Sequence, residues 1–182
     1  MMQGVGFVLL AGGQSRRMGG GDKNQLALGG KTVMQHVLDR VERTAAPTAI
    51  NANGDPARYA GYGLPVIGDV IEGYAGPLAG ILTGLEWLAA QHPHITHMVS
   101  LATDAPFLPV DLAPRLYHRL GPDASIVQAQ SNGQRHPVVA IWPVALAADL
   151  RRAVCDEGVR KIDHFTARHA CDVVAFSGTP DP

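Results

Sequence analysis

A chain of 182 residues can bury one sizeable core but is short for two, so residues 1–182 are read as a single domain. Apolar residues make up 46% of it, which excludes a disordered chain, and no stretch reaches the ~18–20 apolar residues of a membrane span. The formal charge is −1, from 15 basic and 16 acidic residues with no run of either sign. That excludes nucleic-acid and anionic-membrane surfaces, which need clustered Lys and Arg, and leaves any bound anion to be held by local loop geometry.

Short apolar runs alternate with helical patterns, as in βαβ units with a mostly parallel sheet. Val5–Leu10 reads as a buried first strand, followed by a Gly-rich loop from Ala11 to about Asp22. A helix is predicted over Lys31–Arg43, then strands at Thr48–Asn51 and Leu64–Ile67. Pro77 opens a helix to about Gln91, with Leu78, Ile81, Leu82, Leu85 and Leu88 on one face. A strand at His97–Ala102, a helix at Val110–Leu120 and strands at Ser125–Gln128 and Val138–Trp142 follow. Helical stretches near Val144–Val154 and Val159–Thr166 precede a last strand at Asp172–Phe176.

The N-terminal order, apolar run first and Arg16-Arg17 after it, is the reverse of a secretory or twin-arginine signal, so a cytoplasmic protein is expected. Cys155 and Cys171 have no CxxC spacing and read as ordinary reduced thiols. His92, His94 and His97 lack an HExxH or Cys partner and read as surface residues.

In open parallel sheets, ligands bind beyond the carboxyl ends of the strands, so polar residues just after each strand carry the information. The first such set is Leu10-Ala11-Gly12-Gly13-Gln14-Ser15-Arg16-Arg17-Met18-Gly19-Gly20-Gly21-Asp22-Lys23. Its glycines free backbone N–H groups to face phosphate oxygens, and Arg17 and Lys23 add positive charge. It is neither a Walker A loop, since Asn24 follows Lys23, nor a GxGxxG loop. Asp104, in Thr103-Asp104-Ala105-Pro106, is placed to hold Mg²⁺ against phosphates or, on its own, to cap a turn. Asn51 and Asp69 can meet a base or ribose, or cap turns.

The set resembles the molybdenum cofactor guanylyltransferases, the MobA family of nucleotidyltransferases. The likeness runs through LAGGQSRRMGGGDK at Leu10–Lys23, INAN at Ile50–Asn53, VIGD at Val66–Asp69, GPLAGI at Gly76–Ile81, ATDAPFLP at Ala102–Pro109 and RHPVVAIW at Arg135–Trp142. The resemblance implies a Rossmann-like nucleotidyltransferase three-layer α/β sandwich with a mostly parallel sheet. It implies that molybdopterin's terminal phosphate attacks the α-phosphorus of GTP and pyrophosphate leaves. Carried over, Leu10, Ala11, Gly12 and Gly13 line the nucleotide, Lys23 meets its phosphates, Asn51 and Asp69 its nucleoside, and Asp104 the Mg²⁺. Arg17, Lys23 and Asp104 are the expected catalytic set, with Arg17 facing charge on the leaving group. Arg135 and His136 are candidates for the pterin phosphate, or belong to a structural proline turn. Direct hand-off of a labile product makes molybdoenzyme-maturation proteins the expected partners.

Two departures from the family pattern are visible. Ala102 or Thr103 stands where relatives often have cysteine, a change expected to be harmless. Relatives also continue into an NTPEDL-like segment and a closing helix, about where this sequence reaches Asp181-Pro182. Competing readings are a cytidylyltransferase for the same pterin, a sugar-1-phosphate nucleotidyltransferase and a non-catalytic GTP-binding module. Cytidylyl enzymes usually read LAAG where Leu10–Gly13 is LAGG, which favours guanine.

Overall fold

A computed structural model describes residues 4–12, 23–41, 46–73, 76–121 and 125–177. In chain order these form β1 (Val5–Leu10), β2 (Ala27–Leu28), β3 (Lys31–Thr32), α1 (Val33–Arg40), β4 (Thr48–Asn51), β5 (Val66–Ile67) and α2 (Pro77–Gln91). They continue with β6 (His97–Ala102), α3 (Leu112–Arg119), β7 (Ile126–Ser131), β8 (Gln134–Pro143), α4 (Ala147–Cys155), α5 (Ile162–Thr166) and β9 (Cys171–Phe176). Short 3-10 segments lie at Lys23–Gln25, Pro56–Tyr62 and Val144–Leu146.

Seven strands make one sheet in the order β5-β4-β1-β6-β8-β7-β9, while β2 and β3 form a separate hairpin. Strand β8 runs antiparallel to both its neighbours, and every other neighbouring pair in the large sheet is parallel. This is the mostly parallel, mixed sheet of a Rossmann-like three-layer sandwich. Along β1, Val5, Phe7 and Leu9 join one core with Met34, Val37 and Leu38 of α1, Leu112 and Leu116 of α3, and Tyr59. Val8 joins the other, with Leu78, Ile81, Leu82, Leu85 and Leu88 of α2, Leu150 of α4 and Phe165 of α5. Because helices cover both faces, β1 is apolar at nearly every position instead of alternating. Each fully buried leucine of α2 contributes about 1.5–3 kcal/mol by removal from water.

Several boundaries differ from the sequence reading, each for a local reason. Helix α1 starts at Val33, not Lys31, because Ala27 and Leu28 pair with Thr32 and Lys31. Thr32 then caps the helix, its Oγ1 accepting from the Gln35 N–H at 3.0 Å. Strands β7 and β8 are longer than predicted and meet at a two-residue turn, Asn132-Gly133, with φ of 46° and 76°. An Asn-Gly pair between strands is a strong hairpin signal, so this turn was legible and was missed. Pro137 is not in a turn of its own but within β8, at the register shift where Gln128 pairs with Ala140 and Ala129 with His136. A proline, which cannot donate to the ladder, is tolerated at such an irregularity.

No helix among the described residues is long and apolar enough to cross a membrane. Both cysteines are unpaired thiols, Cys155 exposed and Cys171 part-buried.

Candidate nucleotide site

The register of the parallel strands sets the site. Leu10, at the end of β1, is level with Asn51 at the end of β4 and with Ala102 at the end of β6, and Asn51 is level with Ile67 of β5. The residues that leave these strands, Ala11-Gly12, Asp69 and Thr103-Asp104, therefore emerge along one edge of the sheet. Gly13 and Arg17 lie outside the described residues. Lys23 opens the 3-10 segment at residue 23, its backbone described and its side chain outside.

Gly12 is exposed, and among the described residues a Cβ added to it would meet only Asn51 Oδ1, at 3.8 Å. No other described residue fills the space in front of this backbone, which suits a ligand approaching closely. Behind it, Asn51 is 2% exposed. Its Nδ2 donates to Asp69 Oδ1 at 2.9 Å and to the Ile67 carbonyl at 3.2 Å. Asn53 Nδ2 donates to Asp69 Oδ2 at 2.7 Å, and the Asp69 N–H returns a bond to Asn53 Oδ1 at 2.8 Å. Each Asp69 oxygen thus already accepts an amide proton, so this carboxylate first of all orients two asparagines.

Gly80 completes the support. A Cβ there would collide with the Asn51 carboxamide and approach Leu10 Cδ2 at 2.9 Å, so α2 can press against the Asn51 side chain only because residue 80 is glycine.

On the other side of β1, Thr103 Oγ1 donates to the Leu10 carbonyl at 3.2 Å and accepts from Asn24 Nδ2 at 3.3 Å. Gln25, next in the chain, accepts from Tyr62 Oη at 3.0 Å, and Tyr62 Oη is 2.7 Å from Thr32 Oγ1. Tyr62 has one proton and gives it to Gln25, so Thr32 is the donor in that second bond. Asn24 Oδ1 and Gln25 Nε2 are buried without a hydrogen-bond partner among the described residues. Such orphans each cost about 1–3 kcal/mol.

Asp104 is exposed, and no described residue bonds or ion-pairs with it. It stands on the rim of a pocket of about 310 Å³ between the end of β6 and the β7–β8 hairpin, with Ala105, Leu108, Ser131, Arg135 and His136 among its walls. Arg135 is exposed and His136 part-buried, with His136 Nε2 2.6 Å from the Oγ of buried Ser131. The pocket therefore joins a carboxylate on one wall to a guanidinium and an imidazole on the other.

Among the described residues no three His, Cys, Asp or Glu side chains converge as a metal cage. A carboxylate with no partner among the described residues instead suits a divalent cation that keeps other oxygen ligands of its own. The three histidines lie elsewhere. The His92 ring packs edge-on to Trp87 and lies 6.2 Å from His94, while His97 is half-buried beneath Tyr117.

The family profile for the MobA-like NTP transferase domain matches residues 7–171. The molybdenum cofactor guanylyltransferase of Rhodopseudomonas palustris (strain BisB5) is 49% identical over 177 residues, spanning 96% of this chain and 84% of that one. The chain belongs to the molybdenum cofactor guanylyltransferase family. Among solved structures, molybdopterin-guanine dinucleotide biosynthesis protein A from Archaeoglobus fulgidus superposes with a TM-score of 0.71 at 23% identity, over 93% of this chain and 82% of that one. A Mycobacterium tuberculosis protein solved in complex with manganese superposes at 0.67 and 23% identity, over 97% and 90%. At these identities the two structures establish the family's fold for this chain.

Within this family member, the sequence reading picked out Leu10, Ala11, Gly12, Asn51, Asp69 and Asp104 along the strand edge, and Arg135 and His136 beside the pocket. It assigned no role to Asn24, Asn53 or Gly80, and read Thr103 as a harmless replacement for cysteine. The Thr103 hydroxyl in fact joins two segments, as a bond donor and acceptor at once. Only Gly80 carried a signal, a glycine inside a helical pattern, which marks a close approach.

Proposed function

We propose that residues 1–182 act as one nucleotidyltransferase domain that moves GMP from GTP to the terminal phosphate of molybdopterin, releasing pyrophosphate. A phosphate oxygen of the acceptor forms a bond to the α-phosphorus, and the α–β phosphoanhydride breaks with its electron pair leaving on pyrophosphate. The carrying observation is the placement of Asp104, on the boundary between the Gly12–Asn51 edge and the pocket walled by Arg135 and His136.

In this reading Leu10, Ala11, Gly12 and Gly13 line the nucleotide, with the open face of Gly12 leaving room for guanine. Asn51 meets the nucleoside and Asp69 orients it. Lys23 and Arg17 take the phosphates and the charge of the leaving group. Asp104 holds the divalent cation, Mg²⁺, which neutralises triphosphate charge when bound. Arg135 and His136 receive the pterin phosphate, with Ser131 fixing the His136 ring. No covalent enzyme intermediate is needed, since positioning and electrostatics suffice for this transfer. The setting is the cytoplasm, with maturation proteins of molybdoenzymes collecting the product.

The test is pyrophosphate release with Mg²⁺, molybdopterin and either GTP or CTP. Release with GTP and little with CTP is expected, and is lost in Asp104→Ala at unchanged melting temperature. Release with CTP alone would move the chain to cytidylyl transfer, and silence with both would overturn the reading.

A further inference from the structure

The Thr103 hydroxyl touches both ends of one segment. The chain leaves β1 at Leu10 and re-enters described structure at Lys23–Gln25, and Thr103 Oγ1 bonds the Leu10 carbonyl at 3.2 Å and the Asn24 amide at 3.3 Å. The proton order is fixed. Asn24 Nδ2–H points to Thr103 Oγ1, whose own proton goes to a carbonyl that can only accept. All of this is shielded from water, with Asn24 5% and Thr103 6% exposed. Thr103 immediately precedes Asp104, and Asn24 immediately follows Lys23.

We infer that Asn24 and Thr103 form a positioning latch that holds the Lys23 backbone at a set place relative to Asp104 and to the end of β1 before nucleotide arrives. The inference rests on the guanylyltransferase reading, since Lys23 and Asp104 matter together only if one triphosphate meets both. Its independent support is the cost that Asn24 carries. The Oδ1 of that amide is buried without a partner among the described residues, so within them an apolar side chain of similar size would suit the fold as well or better. A buried polar side chain where stability does not call for one points to a geometric role. Fixing the spacing of Lys23 and Asp104 in advance spares the nucleotide from setting it, and that saving appears as affinity.

Two variants test this, read by GTP titration calorimetry in Mg²⁺ alongside thermal melting. Asn24→Leu removes both the latch bond and the orphan oxygen. Expected are an unchanged or raised melting temperature and GTP binding weaker by roughly tenfold, the scale of one lost positioning contact. Thr103→Val strips both bonds from the hydroxyl and is expected to weaken GTP at least as much, whereas Thr103→Ser restores wild-type affinity. Equal GTP affinity in wild type and Asn24→Leu overturns the latch while leaving the function standing. A lowered melting temperature with unchanged affinity marks a structural pair only and also overturns it. Wild type that binds no GTP overturns the functional reading, and the latch with it.

Discussion

Asn51 Nδ2 lies 2.9 Å from Asp69 Oδ1, tying the ends of two neighbouring strands beneath the exposed face of Gly12. Asn51 is buried and Asp69 only partly so, and the other Asp69 oxygen is held by Asn53. In the proposed reading the carboxylate acts on the nucleotide through Asn51. Asp69→Ala is expected to lower stability by about 1–3 kcal/mol, the worth of charged hydrogen bonds, and to raise the KM for GTP. Asn53→Ala, which leaves the Asn51 bond in place, should lower stability without that change in KM. Denaturant unfolding and steady-state kinetics on the pair separate the two effects.

Gly80 sits inside α2, where replacing glycine by alanine ordinarily stabilises by about 0.5–1 kcal/mol. Here the sign reverses. The new Cβ would run into the Asn51 carboxamide and the Leu10 side chain, and overpacking of this kind costs about 1–3 kcal/mol. Gly80→Ala is expected to melt earlier and bind GTP more weakly. A variant more stable than wild type would show that Asn51 can yield at no cost.

Gly12→Ala separates binding from folding. Its Cβ would meet Asn51 Oδ1 at 3.8 Å, an ordinary contact, so the melting temperature should hold. In the proposed reading the methyl group stands on the nucleotide side of Gly12, where it narrows the space for a purine. GTP use should fall relative to CTP, as read from kcat/KM with each nucleotide. Unchanged GTP selectivity would remove Gly12 from base recognition.

His97 supplies a pH dependence. Burial pushes its imidazole below the usual value of 6.5, and its Nδ1 is 3.0 Å from Thr96 Oγ1. The unfolded chain therefore takes up this proton at a higher pH than the folded one. The resulting stability is present above the unfolded pKa and is lost as pH falls from about 6.5 through the lower folded value. Melting temperatures measured from pH 7.5 to 5 should drop across that window, and His97→Gln should flatten the drop. Parallel curves for the two proteins would assign the acid sensitivity elsewhere.

Much of this molecule was legible in the chain itself. Buried strands such as Val5–Leu10, Thr48–Asn51 and His97–Ala102 announce themselves because helices on both faces favour apolar side chains without a polar alternation. The residues that follow such strands are candidates for a site because parallel strands end together, and that rule placed Gly12, Asn51, Asp69 and Asp104 on one edge. Element ends were less legible where side chains compete with the backbone pattern, as when Thr32 capped α1 two residues past its predicted start.

What only the tertiary structure decided is which polar groups are already spent. In sequence, Asp69 and Asp104 are both carboxylates just beyond a strand. In the fold, Asp69 has both oxygens bonded to asparagines, while Asp104 stands exposed on a pocket rim with no bond from a described residue. Likewise Thr103 and Asn24 are 79 positions apart and share a hydrogen bond through a register that neither local pattern encodes. Periodicity reports which face of an element is buried, because burial depends on the element's own geometry. Hydrogen-bond partners depend on the packing of several elements at once, and that is settled only when the sheet and its helices have closed around them.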